Sequence, residues 1–164
     1  MIFEMTKIYI DTEFNGFNGR LISMALVAED GNEFYEVLEC RNPVEWVQIN
    51  VMPFLEKEPV EAYIFQTKLQ QFLYQYESIE LIADWPEDIK HFCSSLITGP
   101  GLCLNYPQIT MTMRRDLSSD NSKVPHNALH DARAIADEDL SKAYDQSAED
   151  VIQEMVDDWK WDNN

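Results

Sequence analysis

Residues 7–16, KIYIDTEFNG, begin as an apolar run and end with two carboxylates. The apolar run predicts a buried β-strand, whose side chains alternate between the two faces of the sheet. Asp11 and Glu13 therefore share one face, while Ile8 and Ile10 point to the other. At a rise of ~3.4 Å per residue, the two acids lie roughly 7 Å apart. On its own, the tripeptide DTE is better explained by an edge strand whose carboxylates are in solvent.

Two carboxylates at the end of a buried strand repel each other and lose solvation. Such an arrangement persists only where a cation or hydrogen bonds compensate for both costs. A ligand set that consists of oxygen atoms alone indicates Mg²⁺ or Mn²⁺ rather than Zn²⁺. A metal site at Asp11 and Glu13 then requires further acidic residues from elsewhere in the chain.

Two further stretches carry acidic residues that can join this pair. The first, HNALHDA, starts a predicted helix, with His126 just before the first turn and Asp131 about one turn inward. The second, ADWPEDIKHF, has Asp84 and Asp88 at a predicted strand-to-helix junction, where ligands gather in α/β folds. Three separated acidic sites at strand ends or helix starts predict a single centre.

The rest of the chain predicts an α/β fold with a mixed β-sheet flanked by helices. Residues 19–37 contain two strand-like runs joined at the turn dipeptide Asp30-Gly31, which predicts an antiparallel meander with the first strand. A helix is predicted to start at Asn42-Pro43, with Asn42 as its N-cap. The remaining predicted elements are a helix at 61–76, a strand at 78–84, a helix at 85–97, a strand at 101–106, a loop at 107–125 and two C-terminal helices.

Length and composition predict one domain over residues 1–164, with a core at about 6–141 and an acidic C-terminal helix at about 146–161. The chain is 45% hydrophobic, enough for a substantial core. No run approaches the ~18 apolar residues of a membrane span, and the first ten residues lack the features of a secretion signal. We therefore expect a cytoplasmic protein without membrane contact. Its cysteines are expected to be reduced core residues: Cys40, Cys93 and Cys103.

The formal net charge of −18 is unusual for a protein that binds nucleic acid, because such proteins usually carry a basic surface. Part of the charge is concentrated at the C-terminus, where residues 137–164 hold ten acidic and two basic side chains. Carboxylates that bind divalent metal would offset another part. An acidic protein that mimics nucleic acid and has no catalytic activity is the alternative that this charge favours.

The three acidic stretches, in this order, resemble the motifs of the DEDD superfamily of 3′-to-5′ exonucleases. DTE at 11–13 is similar to the first motif, and HNALHD at 126–131 is similar to the third motif of the histidine-containing DEDDh branch. Further segments, EWVQINVMPFL among them, resemble the RNase AS-like exoribonuclease family over roughly residues 7–135. The resemblance implies an RNase H-like fold, single-stranded RNA as substrate and nucleoside 5′-monophosphates as products. A preference for poly(A) and a homodimer are also implied by the resemblance alone.

The same resemblance implies two divalent cations, Mg²⁺ or Mn²⁺, and assigns roles to five residues. Asp11 would bridge both ions, Glu13 and Asp131 would complete one site, and Asp88 would act at the other. His126 would be the general base that takes a proton from the attacking water. The middle motif departs from the family pattern, since Asp84 stands where members commonly have Asn. Asp84 is therefore expected to be a helix N-cap or a hydrogen-bond acceptor behind the metal ligands, with direct metal binding as the alternative.

Several residues near these motifs are candidates for binding substrate. Phe14 follows the metal-binding strand and either stacks on the terminal base or belongs to the core. Arg114, Arg115 and Lys123 lie in the predicted loop and either guide the phosphate backbone or are ordinary loop cations. His91 is expected on an exposed helix face, and His130 is expected on the surface or beside a group that it orients.

Two questions stay open at the level of the sequence. A DNA exonuclease of the same fold is an alternative to an RNA exonuclease, because no residue here is certain to contact the 2′-hydroxyl. The apolar residues of the C-terminal helix, Val151, Met155 and Trp159, are expected to pack as a stripe beneath a solvated acidic face. The same stripe is also a possible dimer contact.

Overall fold

The computed structural model describes the backbone of residues 5–162 and the side chains of residues 5–156. It has a five-stranded mixed sheet flanked by helices. The strands of this sheet are β1 (Thr6–Phe14), β2 (Leu21–Ala28), β3 (Glu33–Val37), β4 (Ser78–Ala83) and, in fifth place, Gln108–Met113. The helices are α1 (Glu45–Asn50), α2 (Ala62–Leu73), α3 (Pro86–Leu96) and α4 (Ala128–Asp162). This architecture confirms the predicted α/β class and is compatible with an RNase H-like fold.

The sheet places the end of the opening strand at its centre. The first three strands form the predicted antiparallel meander, and Gly31 adopts a φ of +91° in the turn at Asp30-Gly31. On the other side of β1, β4 runs parallel to it. Because parallel strands end at the same edge of a sheet, the ends of β1 and β4 lie side by side.

Alternate residues of β1 serve two separate cores. Ile8 and Ile10 are fully buried on the face that α2 and α3 cover. Tyr9 is fully buried on the opposite face, against α4, and its hydroxyl donates a 2.8 Å hydrogen bond to Asp139 Oδ2. Asp11 and Glu13 continue the face of Tyr9 and therefore point toward α4.

The small residues of α4 let this helix approach the sheet closely. Ala128, Ala132 and Ala136 are all buried against the sheet. Their spacing of four residues puts them on one side of the helix. This close packing fixes the position of the first turn of α4 relative to the end of β1.

The predicted loop at 107–125 is partly wrong, because its first residues form the fifth strand of the sheet. Gln108–Met113 pairs in parallel with β4, at the edge of the sheet. Its sequence, QITMTM, alternates polar and apolar residues and contains three β-branched side chains, which favour a half-exposed strand. The predicted strand at 101–106 is instead Leu102–Cys103, which pairs with Ile97–Gly99 in a separate two-stranded sheet. We number the strand pair β5 (Ile97–Gly99) and β6 (Leu102–Cys103), and the edge strand β7.

The two predicted C-terminal helices are one continuous helix, α4. No Gly or Pro lies between residues 128 and 162 to end it. The prediction of a packed apolar stripe is also wrong, because Val151 is 56% exposed and Met155 is 67% exposed. The side chain of Trp159, the third member of that stripe, lies outside the described residues. The described part of α4 beyond residue 139 thus extends into solvent.

Helix α1 starts two residues later than predicted, at Glu45, with Val44 as its N-cap. The side chain of Asn15 explains the delay. Its Oδ1 accepts a hydrogen bond from the backbone N–H of Val44, and its Nδ2 donates to the carbonyl of Asn42. These two bonds hold residues 42–44 outside the helix and tie the start of α1 to the end of β1.

The three cysteines are free thiols, but they are not core residues as predicted. Cys40 and Cys93 are half-buried, and Cys103 is exposed. None of the helices in the described part of the chain is long and apolar enough to cross a membrane.

Candidate metal centre

The first group of acids is formed where β1, β4 and α3 meet. Asp11 belongs to β1, Asp84 directly follows β4, and Asp88 lies in the first turn of α3. Each contributes a carboxylate oxygen, and the three oxygens lie within 4.8 Å of one another. The parallel pairing of β1 with β4 brings Asp11 beside Asp84. Because α3 begins at Pro86, shortly after Asp84, the first turn of this helix places Asp88 close to both carboxylates.

Asp88 is held in place by the strand that carries Asp11. Its Oδ1 accepts hydrogen bonds from the backbone N–H of Thr12 at 3.0 Å and from Thr12 Oγ1 at 2.6 Å. Asp88 is only 2% exposed, and its other oxygen, Oδ2, is buried without a hydrogen-bond partner. One oxygen of Asp88 is thus used for positioning while the other is available for a cation.

The second group consists of Glu13, His126 and Asp131. One ligand atom from each lies within 4.8 Å of the others. Glu13 and Asp131 are buried, whereas His126 is exposed. The structure therefore brings the first and third sequence motifs together, as the resemblance implied.

The N-terminus of α4 is fixed by Asn127, which the sequence analysis did not single out. Asn127 is 1% exposed, and its Oδ1 accepts hydrogen bonds from the backbone N–H groups of Leu129 and His130. Its Nδ2 donates to the carbonyl of Phe54 at 2.7 Å. Asn127 is thus an N-cap that also anchors the helix to the segment after α1. An Asn directly before a helical run was the available signal.

His126 has an unusual backbone conformation that supports this arrangement. Its φ is +65°, a left-handed region that non-glycine residues rarely adopt. Its backbone N–H donates a 3.1 Å hydrogen bond to Asp131 Oδ2. The ring packs edge-on against Trp46 of α1, with centroids 5.0 Å apart. Trp46 is a second residue that the sequence analysis missed, since the contact depends on where Asn15 places α1.

Without a cation, the surroundings of these acidic side chains disfavour their ionised forms. Burial raises the pKa of Glu13 to about 8, with further contributions from the charges of Asp131 and Asp88. Burial also raises the pKa of Asp88 to about 7, while the hydrogen bonds from Thr12 act in the opposite direction. For Asp11, burial and the charge of Asp88 raise the pKa well above its ordinary value.

Three buried carboxylate oxygens in this cluster have no hydrogen-bond partner: Asp11 Oδ2, Asp88 Oδ2 and Asp131 Oδ1. Buried polar atoms are nearly always satisfied in folded proteins, so these atoms need an explanation. A hard divalent cation satisfies them, offsets the repulsion among the acids and prefers oxygen ligands. The residues present therefore fit a divalent-metal site, while the identity and number of ions are not fixed by this arrangement.

Asp84 differs from its predicted role in one respect. It is not the N-cap of α3, because Trp85 takes that position. Its half-buried carboxylate instead belongs to the group with Asp11 and Asp88. Burial raises the pKa of Asp84, and the nearby Arg115 lowers it.

Phe14 and His91 lie on the opposite side of β1 from the acids. The β1–β2 register shifts between Glu13 and Phe14, and the Phe14 ring packs on the His91 ring with centroids 5.1 Å apart. The expectation that His91 lies on an exposed helix face is wrong, because it is only 6% exposed. Burial lowers its pKa. Phe14 is half-buried, so part of its ring is accessible on that side of β1.

The three predicted substrate-binding cations have different surroundings. Arg114 forms ion pairs with Asp116 and with the buried Asp139, so its guanidinium is already engaged. Arg115 donates to the carbonyl of Asp84 and lies over the Trp85 ring. Lys123 is exposed. His130, next to Asp131 in sequence, instead contacts Glu56 at 3.1 Å.

Comparison with known proteins gives relatives of one kind. Two proteins of Mycobacterium tuberculosis, from the strains CDC 1551 / Oshkosh and ATCC 25618 / H37Rv, are both named 3′-5′ exoribonuclease. Each is 30% identical to this chain over 148 residues, which cover 77% of this chain and 87% of the relative. No protein-family model matches the chain.

Proposed function

This chain belongs to the 3′-5′ exoribonuclease family, and from that premise we propose that it is a metal-dependent enzyme of the DEDDh branch. In this proposal it has an RNase H-like fold, is closest to the RNase AS-like members and shortens single-stranded RNA from the 3′ end. The observation that carries the proposal is that two groups of acidic side chains lie at the end of β1 and contain three buried carboxylate oxygens without a hydrogen-bond partner.

The acids divide into two sets that suit two divalent cations, Mg²⁺ or Mn²⁺. Asp11, Asp84 and Asp88 form one set, and Glu13 and Asp131 belong to the other. Two such ions, when bound, supply the Lewis acidity that stabilises the attacking and leaving oxygens of a phosphodiester. Thr12 keeps Asp88 oriented, and the backbone N–H of His126 keeps Asp131 oriented.

His126 is proposed as the general base that accepts a proton from the attacking water. Its ring is exposed next to the buried Glu13 and Asp131, so water reaches it. Trp46 limits the directions in which the ring can turn. The products are a nucleoside 5′-monophosphate and an RNA chain shorter by one nucleotide.

The finer parts of this proposal rest on the family resemblance. These are the RNA substrate rather than DNA, the homodimer and the cytoplasmic location. The free state of all three cysteines supports a reducing compartment. Sedimentation of the purified protein across a hundredfold range of concentration tests the dimer, since a monomer sediments at one rate throughout.

A time course on single-stranded RNA tests polarity and metal dependence together. RNA labelled at the 5′ end should give a ladder of products that shorten one nucleotide at a time, and RNA labelled at the 3′ end should release labelled mononucleotide at once. Both signals should appear with Mn²⁺ or Mg²⁺ and disappear with chelator. Release of mononucleotide first from the 5′ end would contradict the proposed polarity. Faster degradation of DNA of the same sequence would favour the DNA exonuclease instead.

Asp84 offers a separate test of the metal centre. We expect Asp84→Ala to weaken Mn²⁺ binding by about 10–100-fold, the range for lost groups that support a metal site. Asp84→Asn should restore most of this affinity, because its amide oxygen is an acceptable ligand for a hard cation. Isothermal titration with Mn²⁺ measures both variants. Equal affinities of Asp84→Ala and the unaltered protein would place Asp84 outside the metal centre.

A further inference from the structure

A large groove lies on the α2–α3 face of the sheet, the face opposite to that of Glu13 and Asp131. Its volume is about 820 Å³, within the ~300–1,000 Å³ range that is common for ligand-binding cavities. The β1–β2 turn, the segment after β3, the start of α2 and one side of α3 form its walls. Three exposed cations line it, Arg20, Arg41 and Lys90, and we call it the basic groove.

The basic groove is connected to the candidate metal centre by two features. His91 lines the groove and packs on Phe14, the residue that follows Glu13. A second cavity of about 450 Å³ shares Arg20 and Arg41 with the groove and extends to Asn15. His91 also lies one helical turn after Asp88 on α3, so the groove begins about one turn away from an acid of the first group.

The charge of the groove differs from that of the molecule as a whole. The protein carries a net charge of −18, and most of its described Lys and Arg side chains form ion pairs with carboxylates. These paired cations outside the groove are Lys7, Lys57, Lys68, Arg114, Arg133 and Lys142. Among the described residues, Arg20 and Lys90 form no ion pair with a carboxylate, and Lys90 donates a hydrogen bond to Asn18 Oδ1. Outside the groove, Arg115 and Lys123 also form no ion pair in the described part of the chain, and Arg115 donates to the carbonyl of Asp84. The groove thus holds cations that are available to an anionic ligand.

Acidic residues also line the groove but leave it favourable for phosphates. Glu39 pairs with Arg41 at 3.0 Å, with both side chains largely exposed, and exposed ion pairs contribute little and are easily rearranged. Glu61 lies at the start of α2. The lining therefore has three positive and two negative side chains, in a protein where acids outnumber bases by more than two to one.

The groove also presents apolar surface beside its cations. Leu21, Leu38, Val60 and Phe65 contribute to its lining. A single-stranded nucleic acid exposes both phosphates and apolar base faces. Sites that bind it combine a cationic track with apolar or aromatic contacts that tolerate any base. Both kinds of surface occur here in one groove.

We propose that the basic groove binds the nucleotides of a single-stranded RNA that lie 5′ of the cleaved end. Arg20, Arg41 and Lys90 contact their phosphates, and the apolar lining contacts their bases. This proposal rests on the proposed exoribonuclease function. It explains how a strongly acidic protein holds a polyanion, because this groove contains Arg20 and Lys90, which form no ion pair among the described residues.

The test compares a short and a long substrate in the same variants. A dinucleotide occupies only the cleaved end, whereas an RNA of about twelve nucleotides reaches the groove. In the variant with Arg20→Ala, Arg41→Ala and Lys90→Ala, the ratio of kcat/KM for the long RNA to that for the dinucleotide should fall at least about tenfold. The slope of the logarithm of the binding constant for long RNA against the logarithm of the salt concentration should become shallower by about two, at ~0.7 per lost phosphate contact. Lys90→Ala alone should lower the ratio in the same direction.

Lys142→Ala is the matched control, since it removes one cation from α4 outside the groove. It should leave the ratio for the two substrates unchanged. Anisotropy of a labelled RNA, measured with Ca²⁺ in place of Mn²⁺, reports binding without cleavage. A triple variant that binds long RNA as tightly as the unaltered protein, with the same salt dependence, would overturn the groove assignment. Failure of the unaltered protein to cleave either substrate would instead overturn the proposed function, and the groove's role in it.

Discussion

Asp11→Asn is expected to lower the rate of RNA cleavage by at least about 10³-fold with Mn²⁺ present. Asp11 belongs to the group with Asp84 and Asp88, and its Oδ2 is buried without a partner. Loss of its negative charge weakens metal binding at the centre of the cluster. Metal ions contribute several kcal/mol to such reactions, and each ~1.4 kcal/mol corresponds to a factor of ten in rate. Single-turnover cleavage of end-labelled RNA measures the loss, and isothermal titration measures the metal affinity.

The same substitution should have the opposite effect on the stability of the metal-free protein. Burial and the neighbouring charges of Asp88 and Glu13 make ionised Asp11 unfavourable in the folded state. Its removal should therefore raise the free energy of unfolding of the metal-free protein, and with it the Tm. Added Mn²⁺ should stabilise the unaltered protein far more than the variant.

Asp120→Asn is the control for both effects of Asp11→Asn, because it removes one negative charge from an exposed position. It should change neither the cleavage rate nor the response to Mn²⁺. If the metal-free Asp11→Asn variant were less stable than the metal-free unaltered protein, repulsion among the buried acids would not be a dominant cost in the free energy of folding. If it cleaved RNA normally, the metal centre would lie elsewhere and the non-catalytic acidic protein would become the better explanation.

The sheet and its helices could be predicted from local sequence patterns where those patterns are strong. The apolar run at residues 7–16 and the turn dipeptide Asp30-Gly31 fix the meander, and the meander is confirmed. The proline at residue 86 marks the start of α3. Each of these signals acts within a few residues, where backbone preference and side-chain alternation are decisive.

The errors in the fold arose where long-range packing decides the structure. The strand β7 lies at the sheet edge, and the polar segment that follows it in the chain led to the prediction of a loop over residues 107–125. Its pairing with β4 stabilises it, and this partner is not visible in its own sequence. The start of α1 was misplaced because the side chain of Asn15, far away in the chain, holds residues 42–44 extended.

The candidate site likewise combines residues that short motifs pointed to with contacts that depend on distant parts of the chain. The grouping of Glu13 with His126 and Asp131 was implied by the resemblance of residues 11–13 and 126–131 to two motifs of one family, and one ligand atom of each lies close to the others in the structure. The participation of Asp84 depends on the parallel pairing of β1 and β4, which sets how close two strand ends lie. The contact of Trp46 with His126 and the basic groove depend on the packing of several elements. Neither has a signature within any single stretch of sequence.

The control for a test of His126 is available four residues away. His130→Asn removes an imidazole that contacts Glu56 and belongs to neither acid group. It should leave kcat within about twofold of the unaltered value, since surface substitutions of this kind have small effects. His130→Asn and the variant His126→Asn should both bind Mn²⁺ with affinities close to that of the unaltered protein if His126 acts on the water and not as a metal ligand.

His126→Asn is expected to lower kcat by about 10²–10⁴-fold, the usual contribution of a general base. Asn is the informative replacement because the backbone at this position has a φ of +65°, which Asn tolerates better than Ala does. The hydrogen bond to Asp131 comes from the backbone N–H of residue 126, so the substitution preserves it. A large loss of kcat with normal Mn²⁺ affinity therefore isolates the proton transfer from the integrity of the metal centre. A kcat within threefold of the unaltered value would remove the imidazole from the mechanism and leave the activation of water to the carboxylate cluster and its cations.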